Sequence, residues 1–124
     1  MLGNKDAIAT VAVKDLGAAK KFYQETLGLE PVKTDGDEAI FFRSGKSTIS
    51  VYRSKYAGTN KATALTWEVD DVPGVVRALK AKGVTFEHYD MPGLALEGDV
   101  HVAGDFRVAW FKDPDGNILS VAGS

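Results

Sequence analysis

The stretch AWFKDPDGNILSV, residues 109–121, consists of an aromatic run, a turn and a second apolar run. Pro114 favours the backbone φ of about −65° that a reverse turn needs, and Gly116 can adopt a positive φ without steric cost. The stretch therefore predicts a hairpin between two strands, Arg107–Lys112 and Ile118–Val121, each long enough to belong to a larger sheet.

The composition is that of one globular domain. The chain has 124 residues, of which 44% are hydrophobic and 26% charged. A net charge of −2 with scattered basic residues argues against a nucleic-acid partner. Without cysteine there is no disulfide framework and no thiolate site. No apolar run has the length of a signal peptide core or a membrane span, so we expect a cytoplasmic protein with no membrane partner.

The first half of the chain predicts a strand, a helix and three further strands. Ala7–Val13 is rich in β-branched residues, and Asp15 can cap a helix that ends at Gly28. Apolar residues at helical spacing support this helix, namely Leu16, Ala19, Phe22, Tyr23 and Leu27. The three strands that follow are Leu29–Lys33, Ala39–Arg43 and Thr48–Arg53.

The second half repeats this order. It contains the strand Leu65–Val69, a helix from the cap Asp71 to Gly83, the strand Val84–Tyr89 and the closing hairpin. Superposing the two halves matches Gly28 with Gly83, Phe42 with Phe111 and Ser50 with Ser120. An internal duplication explains these matches together.

The closing hairpin and the duplicated capped helix resemble the vicinal oxygen chelate (VOC) superfamily, which includes glyoxalase I, extradiol dioxygenases, fosfomycin-resistance enzymes and bleomycin-binding proteins. The resemblance implies an α+β fold in which two tandem βαβββ modules form a curved mixed sheet around a cleft, the glyoxalase/bleomycin resistance fold. We expect a single VOC domain over residues 1–124, with module 1 at about 5–57, a linker at 58–63 and module 2 at about 64–124. The resemblance also implies a homodimer, with or without exchange of modules between chains.

The same resemblance points to four positions where metal-dependent members carry His, Glu or Gln ligands, on the first and last strand of each module. In this chain those positions hold Ile8, Ser50, Ala64 and Ser120. None of them supplies the imidazole nitrogen or carboxylate oxygen that divalent ions prefer. We therefore expect no metal and no other cofactor, and no lyase or dioxygenase activity of the usual kind.

Strand alternation assigns further side chains to the cleft, because every second residue of a strand shares a face. With the four positions above pointing inward, the predicted ligand-binding residues on the strands are Thr10, Ser50, Tyr52, Thr66, Glu68 and Ser120, and Ile118 joins them. One aromatic of each hairpin should line the cleft as well, either Phe41 or Phe42 and either Phe111 or Trp110, and we assign Phe111. The set describes a mainly apolar small-molecule site with a few hydroxyls.

Glu68 is the candidate catalytic base of this set. Burial without a partner would favour the protonated carboxyl and let it transfer protons, whereas pairing with Arg53, Arg107 or a subunit neighbour would make it structural. Trp67, Val69, Leu119 and Val121 should face the helices as core.

The two histidines are not spaced as a ligand pair. We interpret both as exposed or locally hydrogen-bonded, although His101, expected in a loop between Gly98 and Gly104, could contact a ligand or carry a proton. The surrounding segment Met91–Asp105 is either a flexible lid or an edge hairpin around Glu97-Gly98-Asp99.

Three functions follow as hypotheses. The first is a metal-free protein that binds a small, antibiotic-like molecule and sequesters it, similar to the bleomycin-binding members. The second is an enzyme of the glyoxalase or dioxygenase type, with Glu68 as base or with a metal site not identified in the sequence. The third is a non-catalytic module that acts through its dimer surface.

Overall fold

The computed structural model describes all residues, 1–124, and divides into two compact units, Met1–Gly58 and Thr59–Ser124. Each unit contains a helical segment and a sheet with both parallel and antiparallel pairs. The predicted α+β fold class is confirmed, and we refer to the two parts as unit 1 and unit 2.

Unit 1 consists of a four-stranded sheet and one helical segment. Its elements are β1 Ala9–Val13, α1 Leu16–Lys20, a π-helical continuation Lys21–Thr26, β2 Glu30–Asp35, β3 Ala39–Ser44 and β4 Ser47–Arg53. The strand order in the sheet is β1-β4-β3-β2. The first and last strands of the unit, β1 and β4, are parallel neighbours, and the other pairs are antiparallel.

The helical segment of unit 1 begins and ends where the sequence predicts. The Asp15 side chain accepts hydrogen bonds from the backbone N–H groups of Gly17 and Ala18, and Gly28 has a φ of +79°. The expected regular helix is wrong in its second half, which is π-helical and therefore more loosely wound. Tyr23 in that half is fully buried, with its ring 5.9 Å from that of Phe42.

Unit 2 has a six-stranded sheet and one longer helix. The elements are β5 Thr63–Val69, α2 Val72–Ala81, β6 Phe86–Glu87, β7 Ala95–Glu97, β8 Val100–Ala103, β9 Phe106–Lys112 and β10 Ile118–Gly123. The strand order in the sheet is β5-β10-β9-β8-β7, and β6 is also paired with β9. The strands β5 and β10 are parallel.

Helix α2 is capped as predicted, since Asp71 accepts a hydrogen bond of 3.0 Å from the backbone N–H of Gly74. It contacts β8, β9 and β10 and buries Val72, Val76 and Leu79.

The predicted turn between β9 and β10 is confirmed. The backbone N–H of Gly116 donates to the carbonyl of Asp113 at 3.0 Å, and Gly116 has a φ of +87°.

The two units share a strand pattern that agrees with the predicted duplication. In each unit the first strand is parallel to the last, and the last forms an antiparallel hairpin with the strand before it. Phe42 and Phe111 hold corresponding positions, since Phe42 pairs with Ile49 and Phe111 with Leu119, each next to the matched serine.

The strand partnered with β9 differs from the sequence prediction. Residues 84–89 were expected to form one strand, but only Phe86–Glu87 pairs with β9 before the chain leaves the sheet edge. The chain returns as β8, which continues along the same edge of β9. Segment 91–105 is not an irregular loop, and the hairpin alternative is confirmed by the pairing of Glu97 with Val100 across the turn.

Candidate functional site

In unit 2, three predicted or alternative site residues lie side by side on neighbouring strands. Ser120 of β10 is paired with Thr66 of β5 on one side and with Trp110 of β9 on the other. Residues paired directly across strands share a face of the sheet. We call Thr66, Ser120 and Trp110 the unit 2 row.

The polar groups of the unit 2 row are already hydrogen-bonded. The hydroxyls of Thr66 and Ser120 lie 2.7 Å apart, and the indole N–H of Trp110 donates to the hydroxyl of Thr63 at 3.1 Å. Thr66 is exposed and Ser120 is buried, so of these two residues only Thr66 is well exposed to solvent.

The assignment of Phe111 as a lining residue is wrong. Phe111 pairs with Leu119 and so points to the opposite face from Ser120, where it is fully buried with its ring 5.6 Å from that of Phe86. Leu119 and Val121 share this apolar face, and α2 contacts the same strands. Trp110 is therefore the aromatic residue beside Ser120.

His101 lies in β8 rather than in a loop and has no exposed surface. It pairs with Val108, two residues from Trp110, so its side chain is on the face of the unit 2 row. The imidazole ring is 4.9 Å from Trp110 and is stacked against Tyr89 at 6.3 Å. The expected loop position and the exposed alternative are therefore wrong for His101, whereas the hydrogen-bonded alternative agrees with its contacts to the Tyr89 backbone.

One nitrogen of His101 is bonded and the other is not. Nε2 lies 3.0 Å from the backbone nitrogen of Tyr89 and 3.1 Å from its carbonyl oxygen, so it can accept or donate according to the tautomer. Nδ1 is buried without a hydrogen-bond partner. A buried polar atom of this kind is costly to the folded state.

Glu68 lies at an exposed position of β5, paired with Ala122 of β10. Glu68 therefore lacks the burial that would favour its protonated form and let it act as a catalytic base. None of the predicted ion pairs of Glu68 with Arg53 or Arg107 is formed.

Unit 1 contains a row that corresponds to the unit 2 row. Ser50 of β4 is paired with Thr10 of β1 and with Phe41 of β3. The hydroxyl of Thr10 donates to the carbonyl of Ile8 at 3.3 Å, and Tyr52 is 38% exposed at the end of β4. Both units thus share a pattern of threonine, serine and aromatic residue on neighbouring strands, which the duplicated sequence already contains.

His88 is locally hydrogen-bonded, as expected. Its Nε2 lies 2.7 Å from one carboxylate oxygen of Asp99, and Nζ of Lys80 lies 2.6 Å from the other. The hydrogen bonds from Lys80 and then His88 hold the pKa of Asp99 below its ordinary value. This cluster joins α2 and the segment after β6 to the tip of the β7–β8 hairpin.

The donor set does not fit a divalent metal. Ile8 and Ala64 have hydrocarbon side chains, and Ser120 is hydrogen-bonded to a second neutral hydroxyl. No group of three or more His, Cys, Asp or Glu side chains is arranged to hold an ion. These residues differ from the nitrogen and carboxylate ligands that such ions need.

Comparison with known proteins places the chain in a family. A family model described as Glyoxalase/Bleomycin resistance protein/Dioxygenase superfamily matches residues 7–121. No helix is both long enough and apolar enough to cross a membrane.

Solved structures show the same fold at low sequence identity. A lactoylglutathione lyase from Agrobacterium tumefaciens is 18% identical with a TM-score of 0.72, covering 98% of this chain and 94% of that one. The fosfomycin resistance protein FosX from Listeria monocytogenes is 18% identical with a TM-score of 0.72, covering 95% and 91%. The antibiotic binding protein TnmS3 from Streptomyces sp. CB03234 is 23% identical with a TM-score of 0.69, covering 99% and 98%.

Proposed function

The chain belongs to the Glyoxalase/Bleomycin resistance protein/Dioxygenase superfamily, and from this premise we propose that it binds and sequesters a small, flat, mainly apolar molecule without a metal ion. Proteins similar to it in fold include both an antibiotic binding protein and a lactoylglutathione lyase. The choice between binding and catalysis therefore depends on this chain's own residues.

The observation that carries the proposal is the chemistry of the four ligand positions. Ile8, Ser50, Ala64 and Ser120 provide two hydrocarbon side chains and two neutral hydroxyls. A serine hydroxyl is a weak ligand for a divalent ion at neutral pH, and Ser120 is already bonded to Thr66. The four positions therefore offer no side chain that would hold a metal ion for catalysis.

The unit 2 row supplies what binding of an aromatic compound needs. The half-buried Trp110 offers aromatic surface, and the Thr66–Ser120 hydroxyl pair offers hydrogen bonds beside it. Aromatic residues with a few placed polar groups are typical of small-molecule sites. His101 has no exposed surface and packs against Trp110, with the two ring centres 4.9 Å apart.

Calorimetric titration of the full chain with a panel of aromatic antibiotics tests the proposal. We expect saturable binding of at least one compound, recovery of that compound unchanged, and affinity about tenfold weaker in Trp110→Ala. Tyr56→Ala is the matched control, because Tyr56 is an exposed aromatic residue outside both rows. Absence of binding throughout the panel, or equal losses in the two variants, contradicts the proposal.

The enzyme alternative is supported by the similarity in fold to a lactoylglutathione lyase. Elemental analysis of protein purified without chelators separates the two functions. Sequestration predicts no stoichiometric Fe, Mn, Ni or Zn, and one equivalent of any of these ions would favour the enzyme.

We also propose that the chain forms a homodimer. Leu96 of β7 and Phe106 of β9 are 46% and 47% exposed and share a face of the sheet, which leaves apolar surface that a second copy can cover. Light scattering should give twice the monomer mass of 13.3 kDa. A monomeric mass at working concentration contradicts this part of the proposal.

A further inference from the structure

Unit 1 has a groove at one end of its sheet that the proposed function does not use. The groove is open to solvent and has a volume of about 640 Å³ between the end of β1, the start of α1, the turn from β2 to β3 and the end of β4. Its volume lies within the range of about 300–1,000 Å³ that is common for small-molecule sites. We call it the basic groove because Lys14, Lys20 and Arg53 line it.

The strand topology brings two of these cations together. β1 and β4 are parallel, with Val13 paired to Arg53, so both strands end at the same edge of the sheet. Lys14 follows Val13 directly, and Lys14 and Arg53 both line the groove. Both residues also line an adjoining cavity of about 320 Å³, to which Lys55 contributes a positive charge and Glu38 a negative one.

The positive charge of the basic groove comes from side chains rather than from the end of α1. The first N–H groups of that helix already donate to Asp15. Neither Lys20 nor Arg53 forms an ion pair, so their charges remain available. Two carboxylates, Asp15 and Asp37, line the groove against three cations, in a chain whose net charge is −2.

The floor of the basic groove is apolar. Ile40 of β3 is buried there and Leu16 of α1 is half-buried, while the cationic side chains are exposed above them. A ligand that matches this arrangement carries a compact anion for the rim and a hydrophobic body for the floor.

We propose that the basic groove binds a small organic phosphate. A phosphate monoester carries close to two negative charges at neutral pH, which matches contacts from the two unpaired cations of the groove, Lys20 and Arg53. Arginine forms bidentate hydrogen bonds with phosphate, and lysine adds a point charge. The organic body packs on Leu16 and Ile40. This site is independent of the sequestration proposed above, since it uses no residue of either row.

Titration of the isotope-labelled full chain with phenyl phosphate, followed by backbone amide NMR, tests the proposal. We expect saturable shifts at the amides of residues 14–20 and at Arg53. Inorganic phosphate should shift the same amides but bind about tenfold more weakly, because it leaves the apolar floor uncovered. Equal affinities for the two probes contradict the assignment of an organic phosphate.

Charge variants give the second arm of the experiment. Arg53→Gln and Lys20→Gln should each weaken binding of phenyl phosphate by about tenfold, because each removes a charge-assisted hydrogen bond. Lys61→Gln removes the same charge from an exposed residue of unit 2 and should leave binding unchanged. Arg53→Lys keeps the positive charge and should therefore lose less affinity for phenyl phosphate than Arg53→Gln. This difference separates a lost charge contact from a general disturbance of the fold at residue 53. Shifts that do not saturate, or equal losses in Lys61→Gln and Arg53→Gln, overturn the proposal.

Discussion

Asp113 shows how one buried side chain organises the closing turn. Its Oδ1 accepts hydrogen bonds of 2.9 Å from the backbone N–H groups of Asp115 and Asn117, and its Oδ2 accepts one of 2.8 Å from the Asn117 side chain. Asp113 is only 5% exposed, so water cannot replace these partners. The Asp113 carboxylate thus ties the backbone of the DPDGN turn to the side chain of Asn117.

Asp113→Ala should lower the free energy of unfolding by about 2–4 kcal/mol, because it removes the three hydrogen bonds of this buried carboxylate. Urea denaturation followed by circular dichroism measures the loss. Asp37→Ala, in the exposed turn between β2 and β3, is the control and should change stability by less than about 0.5 kcal/mol. Similar losses in the two variants would contradict the role assigned to Asp113.

Single residues also mark the limit of prediction from sequence. Asp15 and Asp71 could be identified as helix caps because the interaction is local and depends on residue type. The choice between Trp110 and Phe111 could not be made, since a shift of one residue exchanges the two faces of a strand and both aromatics suit either face. Burial of His101 depends on β8 and Tyr89, which no local pattern indicated.

The corrected position of Phe111 leads to a stability prediction. Phe111→Ala should cost about 3–5 kcal/mol, because it removes a fully buried ring from the apolar face beneath α2. Trp110→Phe keeps an aromatic ring and loses the hydrogen bond to Thr63, so it should cost only about 1 kcal/mol. Urea midpoints of the two variants measure this difference, and a smaller loss for Phe111→Ala would place that ring outside the core.

Among the elements, the β7–β8 hairpin is held by pairing of β8 with β9 and by charged contacts at its turn. Asp99 lies next to the turn and contacts Lys80 of α2 and His88. The sequence of segment 91–105 contains Pro92 and three glycines and has little alternation, so local propensity did not indicate strands. Pairing of β8 with the long strand β9 overrides that weak propensity.

The Asp99 contacts should make stability depend on pH. The pKa of Asp99 is lowered in the folded chain, so this carboxylate contributes stability that is complete above the ordinary pKa of about 4 and is lost as pH falls through the lower folded-state value. At pH 7, Asp99→Asn should therefore cost roughly 1 kcal/mol or less, since both partners are about half exposed. The difference from the natural chain should shrink below pH 4.

Unfolding measured at several pH values checks this expectation. Asp105→Asn serves as the control, because Asp105 is exposed and forms no ion pair. A cost of Asp99→Asn that stays constant down to low pH would show that packing of the side chain, not its charge, holds the hairpin.

For the whole molecule, the duplication explains why the fold could be predicted more fully than the site. Each signal occurs twice, as a capped helix, a stopping glycine and a closing hairpin, and the two copies support each other. The site depends instead on which side chains replaced the family's metal ligands. Ile8 and Ala64 show what is missing at those positions, but a missing donor does not identify the molecule that binds.

Ligand binding should be visible in the stability of the whole chain. A compound that binds only the folded state at 100 times its dissociation constant adds about 2.7 kcal/mol, which for a chain of this size raises the unfolding temperature by roughly 10 °C. Thermal unfolding of the chain with the compound found by calorimetry measures this shift, and Trp110→Ala should reduce it. A chelator should leave the unfolding temperature of the free protein unchanged, because the four ligand positions carry no donor that a resident ion would need. A fall in unfolding temperature on chelation would mean that an ion stabilises the folded state, and sequestration without a metal would then have to be abandoned in favour of a metal-dependent function.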